Sequence, residues 1–169
     1  MIEISIAREK DYPTIQAIAH ETWYPTFGEI LSKEQIAYML EMMYSIQSIA
    51  EQVAQKGHVF LLAKEGETRL GYASYELNYK GTNKTKIHKI YILPSTQGKG
   101  VGKKLFEEIE KIAQENGNNT LSLNVNRQNK AIDFYEKIGF KKIGTEDIDI
   151  GNGFLMEDFI MEKIMSYEF

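Results

Sequence analysis

Apolar and polar residues follow two different periods along this chain. Residues 2–7 (IEISIA) alternate at every second position, which predicts a strand. From residue 11 to residue 57 apolar residues recur at helical spacing, and start signals at Asp11, Ser32 and Ser45 divide this part into three helices. Gly57 is typical of a helix C-terminal stop. The first third of the chain therefore predicts one strand and three helices.

After residue 57 the period changes. The runs HVFLLAK, RLGYASYELNYK and KTKIHKIYIL are joined by short polar turns and predict an antiparallel meander. Residues 100–115 predict a helix, NTLSLNV a strand, and residues 129–138 a helix that ends at Gly139. FKKIGTEDI and FLMEDFIMEKI predict a closing hairpin around GNG. This order, with no linker or repeat, predicts one mixed α/β domain over residues 1–169.

Composition narrows the functional classes. A chain of 169 residues is long enough for one sizeable core. It contains no cysteine, which excludes disulfides, thiolate metal sites and a cysteine nucleophile, and favours a cytoplasmic location. A net charge of −4 argues against a nucleic-acid partner and favours a cationic acceptor. No apolar run reaches the length of a membrane helix and the N-terminal residues lack a signal-peptide layout, so we expect no membrane association.

The stretch QGKGVG lies between a predicted strand and a predicted helix. Glycines allow a sharp turn there, and the start of the helix presents unpaired N–H groups, a combination typical of a phosphate site. The spacing does not fit a P-loop, because Lys103 is followed by Lys104, and it does not fit G-x-G-x-x-G. It fits Gln/Arg-x-x-Gly-x-Gly/Ala through Gln97, Gly100 and Gly102. The alternative is a glycine turn that only caps the helix.

This pattern resembles the acetyl-CoA signature of the GNAT acyltransferase superfamily. Downstream, NKAIDFYEKIGF (129–140) is similar to the family's second hallmark, a helix that ends in Phe-Tyr-Glu-x-x-Gly-Phe, and the resemblance covers residues 58–165. It implies an α/β GNAT fold, in which a mixed, mostly antiparallel sheet of about seven strands splays between strands 4 and 5 and is flanked by about four helices. It also implies acetyl transfer from acetyl-CoA to an amine. Without cysteine, a thioester intermediate on the enzyme is excluded.

The resemblance places the acetyl-CoA cofactor on three segments. Main-chain groups of the fourth strand would contact its pantetheine arm, the glycine turn would hold its pyrophosphate, and an asparagine, either Asn126 or Asn129, would contact the arm. The implied cofactor residues are Ile90, Tyr91, Ile92, Gln97, Gly98, Lys99, Gly100, Val101, Gly102, Asn126, Asn129 and Tyr135.

Tyr135 and His88 are the candidate catalytic residues. Tyr135 matches the family tyrosine that protonates the departing thiolate, and a phenol suits this role because it keeps its proton at neutral pH. The alternative for Tyr135 is a core aromatic residue beside Phe134 and Phe140.

His88 stands where many relatives carry a glutamate base, and an unperturbed imidazole is a competent base near pH 7. We expect it on the same face as Ile90 and Ile92, the alternative being a half-exposed strand histidine. His20 and His58 have no such context. Three scattered histidines predict no metal site.

The acceptor side is indicated by ETWYPTFGEILSKEQIAYMLEMMYS (21–45) and the C-terminal EDFIMEK, which resemble the bacterial spermidine/spermine N-acetyltransferase branch. This implies a small-molecule amine acceptor, a polyamine in the first place, bound by carboxylates and aromatic faces. The candidate substrate-binding residues are Glu21, Trp23, Tyr24, Phe27 and Glu76. The alternative is that the aromatic residues belong to the core and the glutamates to a solvated face.

Three other functions stay open from the sequence. The same fold could acetylate a protein N-terminus, a lysine or an antibiotic amine. A non-catalytic module could bind acyl-CoA as a sensor, and a structural protein could use the glycine turn for helix capping alone. Because GNAT domains often pair through edge strands, a homodimer is possible by analogy.

Overall fold

The computed structural model describes residues 1–96 and 98–165. The strands are β1 (Glu3–Ile6), β2 (Val59–Glu65), β3 (Thr68–Glu76), β4 (Lys84–Ile92), β5 (Thr120–Asn126), β6 (Lys141–Gly151) and β7 (Phe154–Ile164). The α-helices are α1 (Tyr12–Phe27), α2 (Lys33–Tyr44), α3 (Ile46–Lys56), α4 (Val101–Glu115) and α5 (Ala131–Lys137). Over the described residues this gives five α-helices, and none of them is long and apolar enough to cross a membrane.

The predicted helix boundaries rest on local hydrogen bonds. The Ser32 hydroxyl accepts the N–H of Gln35 at 3.1 Å and starts α2. Asp11 stands at the start of α1 as predicted, but its carboxylate accepts the N–H of Arg8 at 2.9 Å and does not cap the helix. Gly57 follows α3 with φ +73°, the left-handed conformation that glycine adopts without strain.

All seven strands form one sheet in the order β1-β2-β3-β4-β5-β7-β6. The pair β4–β5 is parallel and the other pairs are antiparallel. The ladder between β4 and β5 runs only from Lys84↔Thr120 to Ile87↔Leu123, although both strands continue further. The predicted splay between strands 4 and 5 is therefore confirmed, and it leaves a gap in the middle of the sheet.

A β-bulge interrupts β4 just where the ladder with β5 ends. Ser74 of β3 pairs with Lys89, whereas its neighbour Tyr75 pairs with Ile87, so His88 is one extra residue on β4. A bulge of this kind leaves the extra residue unpaired and changes the phase of side-chain alternation. The side chains that follow His88 on β4 therefore lie on the opposite faces from those that strict alternation along the strand would predict.

Each face of the sheet carries its own apolar core. Leu105 of α4 and Phe140 belong to one core, and Ile90 and Ile92 pack against it. Helices α1 to α3 build the other core, which includes Trp23 and has Tyr91 packed against it. Burial of apolar surface on both faces supplies the main stabilisation of the fold. It also places the gap between β4 and β5 between the two helical layers.

Candidate active site

A cleft of about 1090 Å³ opens where β4 and β5 separate. It extends from the glycine turn before α4, past α5, to the inner side of α1. The predicted site residues that line it are Trp23, Phe27, His88, Ile90, Tyr91, Ile92, Gly98, Gly100, Val101, Gly102, Asn126, Asn129 and Tyr135. Gln97 lies outside the described residues. The structure thus brings the three predicted cofactor segments to one cleft.

The glycine turn has the backbone that its sequence requires. Gly98 and Gly100 have φ values of +87° and +76°, in the left-handed region that disfavours side chains. No protein atom outside their chain neighbours lies within 4 Å of the position that a Cβ would take at either residue. At Gly102, in contrast, a Cβ would contact the Phe134 ring at 3.5 Å. The first two glycines therefore leave open space beside the start of α4.

The first amides of α4 are available to a ligand. The N–H of Lys104 donates to the Gly100 carbonyl at 3.1 Å, but among the described residues no backbone acceptor takes the N–H of Val101, Gly102 or Lys103. These amides and the helix dipole favour an anion at this end. Lys99 does not line the cleft, and its ammonium lies 3.8 Å from a Glu65 carboxylate oxygen. The donor set fits a diphosphate without needing the Lys99 side chain.

The main chain of β4 has free positions toward the gap. On one side Ile90 and Ile92 pair with Ala73 and Gly71 of β3. On the other side the β5 ladder has ended at Ile87, so the alternate backbone groups that point toward β5 have no strand partner there. An extended acyl arm in the gap can take these groups as hydrogen-bond partners.

Tyr135 reaches the cleft from α5 while most of its ring is buried. Its ring lies 5.9 Å from that of Phe106 and 6.0 Å from that of Phe140. Burial raises the pKa of the phenol above its ordinary value, so the hydroxyl is protonated at neutral pH. Tyr135 therefore packs in the core and also lines the cleft, so the two alternatives that we considered from the sequence are both correct.

Asn126 and Asn129 both face the cleft and both stabilise the turn between β5 and α5. The Asn126 carboxamide oxygen accepts the N–H of Gln128 at 2.9 Å, and that of Asn129 accepts the N–H of Ala131 at 2.9 Å. Among the described residues no acceptor takes the side-chain NH₂ of either asparagine. Each therefore has two donors for a ligand, and the alternative between them stays open.

His88 lies on the opposite face from the one that we expected. Its Nε2 lies 2.9 Å from the Glu76 carboxylate, and its ring stacks on His58 at 3.9 Å. Ile90 and Ile92 instead pack toward α4, because the bulge at His88 shifts the alternation. Burial, the His58 ring and nearby lysines lower the pKa of His88 to about 2, so the imidazole is neutral and Nε2 donates to Glu76.

His58 also has a context that the sequence did not reveal. Its Nε2 lies 3.7 Å from the same Glu76 oxygen, and burial lowers its pKa to about 4. One ligand atom from each of His58, Glu76 and His88 lies within 4.8 Å of the others, so two of the three histidines are not scattered as the sequence predicted. Because the two rings are stacked nearly parallel, their nitrogen lone pairs do not converge on one point as metal ligands must. The lysine charges that lower the pKa of His88 also disfavour a metal cation.

Two lysines of β4 are cleft residues that the sequence analysis missed. Lys89 is 6% exposed, and its ammonium donates to the Gln52 side chain at 2.6 Å. Burial, with a smaller effect of Lys56, lowers the pKa of Lys89 to about 7. Lys86 donates to the Asn124 side chain, and burial lowers its pKa as well. The sequence does contain a signal for them, because KTKIHKIYIL has lysines inside a predicted central strand, where residues are normally apolar.

The predicted substrate residues separate into two groups. Trp23 and Phe27 line the cleft, where their rings are 4.6 Å apart and both belong to the α1–α3 core. The Glu21 carboxylate is paired with Arg69 at 2.5 Å, and Tyr24 is an exposed residue outside the cleft lining. Glu76 also lies outside the lining and contacts the histidines instead. The carboxylates that do line the cleft include Glu146 and Asp158, which the sequence analysis did not select.

Comparisons with known proteins agree with this geometry. The model of the acetyltransferase (GNAT) domain matches residues 29–162. A spermidine N(1)-acetyltransferase of Thermoplasma acidophilum is 32% identical over 167 residues, 96% of each chain. The solved structure of the PaiA N-acetyltransferase of T. acidophilum in complex with coenzyme A has a TM-score of 0.81 and 31% identity, and covers 97% of this chain and 99% of that chain. The peptidyl-lysine N-acetyltransferase YjaB of Escherichia coli is 41% identical over 61 residues, 36% of this chain and 38% of that protein.

The matched residues contain the splayed strands, the glycine turn and the tyrosine helix. The chain therefore belongs to the GNAT acetyltransferase family. It is an acetyl-CoA-dependent N-acetyltransferase, as the sequence predicted.

Proposed function

We propose that this enzyme transfers the acetyl group directly to a primary amine of a small molecule, and that this amine belongs to a polyamine. The observation that carries the proposal is the continuity of the cleft, which joins the glycine turn to aromatic and acidic side chains on the other side of the β4–β5 gap. The spermidine acetyltransferase relative, aligned over nearly the whole chain, supports the same acceptor class.

Three parts of the chain hold acetyl-CoA in this proposal. The amides of Val101, Gly102 and Lys103 bind the diphosphate, the main chain of Ile90–Ile92 binds the pantetheine arm, and Asn126 or Asn129 adds a side-chain donor. Bound there, acetyl-CoA supplies an activated thioester. The protein's part is to hold that thioester and the amine in one orientation and to keep water away.

Tyr135 donates the proton that the leaving thiolate requires. Its phenol lines the cleft, and the raised pKa keeps it protonated over the physiological range. A hydroxyl that stays protonated can stabilise negative charge on sulfur by a hydrogen bond before the proton moves.

His88 is our candidate for accepting the proton of the amine. Because Nε2 carries the hydrogen that is donated to Glu76, Nδ1 is the atom with the free lone pair. The Glu76 carboxylate, 2.9 Å from Nε2, favours the imidazolium that forms, against the burial and lysine charges that lower the pKa of His88 to about 2 in the free protein. Glu76 then acts as a positioning residue for His88, and no longer as a substrate-binding residue.

The acceptor side of the cleft suits a flexible cation. Trp23, Phe27 and Tyr91 present aromatic surface, with Trp23 and Tyr91 ring centroids 5.8 Å apart. Methylene groups can pack on these rings, and ammonium groups are attracted by their faces.

A thiol-release assay with spermidine, spermine and lysine-containing peptides tests the proposal. We expect turnover with the polyamines that exceeds turnover with peptides by at least about tenfold in kcat/KM, as differential transition-state binding requires. A peptide that is acetylated while both polyamines are inert would contradict the acceptor class. It would support the second candidate, a protein N-acetyltransferase, which the partial match to a peptidyl-lysine N-acetyltransferase favours.

Three remaining proposals rest on the sequence. We place the enzyme in the cytoplasm on the basis of its lack of cysteine. We treat residues 1–169 as a single domain. A homodimer stays a proposal by analogy with other GNAT domains, and β1 and β6 are the strands at the two edges of this sheet.

A further inference from the structure

Asp158 is a buried carboxylate on the acceptor side of the cleft. It lies on β7, where it pairs with Asn126 of β5 and with Glu146 of β6. Residues directly opposite each other in neighbouring strands point to the same face, so these three side chains form a row across the sheet. Asp158 and Glu146 both line the cleft, and Asp158 is 5% exposed.

The two carboxylate oxygens of Asp158 differ in their contacts. Oδ2 lies 3.4 Å from the Asn124 side-chain NH₂, which is a weak contact. Oδ1 is buried and has no hydrogen-bond partner among the described residues. A buried acceptor without a donor costs free energy, and for a charged group the cost is larger. Such an atom in the wall of a cleft is typical of a position that a ligand completes.

Among the described residues no cation donates to a side-chain oxygen of Asp158. Glu146 accepts the Asn124 NH₂ at 2.8 Å, and the ammonium of Lys86 donates to the Asn124 oxygen, not to either carboxylate. Arg127 Nε donates to the main-chain carbonyl of Asp158 at 3.2 Å. Burial and the Glu146 charge raise the pKa of Asp158 against the effects of Lys86 and Arg127, so an additional cation at Oδ1 would stabilise the carboxylate.

We propose that Asp158, together with Glu146, binds the second ammonium group of a diamine or polyamine acceptor. This inference rests on the proposed function and specifies which residues select the acceptor. The amine that attacks the thioester must lose its charge, whereas the second amine stays an ammonium and needs a permanent counter-charge. A carboxylate pair with a free buried oxygen supplies that counter-charge, and Oδ1 accepts the ammonium hydrogen.

Calorimetry on the protein saturated with coenzyme A tests this inference without requiring turnover. The probes are 1,4-diaminobutane and butylamine, which have the same carbon chain and differ by one ammonium group. We expect the wild type to bind the diamine at least roughly tenfold more tightly, as one charge-assisted hydrogen bond predicts. Asp158→Asn should bring the affinity for the diamine to that for butylamine and leave the affinity for butylamine unchanged.

Asp147→Asn is the matched control, because it removes one carboxylate beside Glu146 that lies outside the cleft lining. It should bind the diamine like the wild type. If Asp158→Asn does not fold, Glu146→Gln tests the same pair and should also weaken diamine binding.

Equal affinities of the wild type for the two amines, or unchanged diamine binding in a folded Asp158→Asn variant, would overturn the inference. Failure of the proposed function gives a different result, thiol release with a peptide and none with spermidine or spermine. The binding measurement stays informative in that case.

Discussion

Nε2 of His88 lies 2.9 Å from Oε1 of Glu76, and the stacked ring of His58 places its own Nε2 3.7 Å from the same oxygen. His88 lies on β4, Glu76 on β3 and His58 directly before β2, and one carboxylate thus contacts two imidazoles. Both rings are neutral at neutral pH, since their pKa values are about 2 and about 4. The arrangement links the acceptor side of the cleft to the pH dependence of stability.

We expect the protein to lose stability as the pH falls from about 6.5 to about 4. The folded-state pKa of His58, about 4, is below the ordinary value of 6.5, so the unfolded chain binds more protons in this interval. The contribution is fully present above pH 6.5 and is lost as the pH approaches 4. Urea unfolding of the wild type and of His58→Phe, which keeps a ring for stacking, should show a smaller slope with pH in the variant. His20→Gln, at an exposed histidine, should retain the wild-type slope.

Tyr135→Phe should reduce kcat by about 100-fold and leave the affinity for coenzyme A nearly unchanged, because it removes one proton donor and no main-chain contact. Steady-state kinetics and calorimetry measure the two effects separately. Tyr24→Phe makes the same chemical change at an exposed residue outside the cleft and should behave like the wild type. Full activity of Tyr135→Phe would exclude the phenol as the proton donor.

Gly100→Ala should weaken coenzyme A binding roughly tenfold, since a side chain in a left-handed conformation distorts the turn that positions the amides. The same strain should lower the free energy of unfolding by about 1–2 kcal/mol. Gly117, at the other end of α4, has a similar φ of +78°, so Gly117→Ala carries the strain without touching the turn. Thermal unfolding should report similar losses for both variants, and calorimetry a loss of binding for Gly100→Ala alone. Equal binding in both variants would refute the role of the turn.

Lys89→Met should be at least as stable as the wild type at pH 7, because a buried ammonium with one amide partner is replaced by an apolar chain of similar length. The free energy of unfolding of the wild type should increase relative to that of the variant as the pH rises from 7 toward 10. The folded pKa of about 7 lies below the ordinary 10.5, so the folded protein has already released this proton. The relative gain cannot exceed about 1.4 kcal/mol per pH unit. Parallel pH profiles of the two proteins would show that folding does not lower the pKa of Lys89.

The parts of the site that were predictable from the sequence are local in the chain. The glycine turn and the start of α4 depend on neighbouring residues, and Gly98 and Gly100 have the positive φ values that their residue type favours. The order of helices and strands along the chain followed from the hydrophobic periodicity. The gap between β4 and β5 followed from the resemblance to the GNAT family. These features are set by short-range rules or by a motif within a few residues.

The parts that were missed depend on pairing between distant strands. His58 and His88 are thirty positions apart and meet only because β2, β3 and β4 are neighbours in the sheet. The face of His88 was wrong because one extra residue in β4 has no signature in the sequence. Asp158 lines the cleft because its register places it opposite Asn126 and Glu146, and no pattern along a single strand encodes that register.

The bulge makes His88 an insertion that the rest of the sheet does not need. Without that residue Lys89 would follow Ile87 directly, and both would keep their present partners on β3. Ile90 and Ile92 would stay toward α4 in a regular ladder, and only the imidazole and its contact with Glu76 would be lost. A chain that lacks this one residue should therefore keep the fold and the cofactor side of the cleft, and differ only on the amine side.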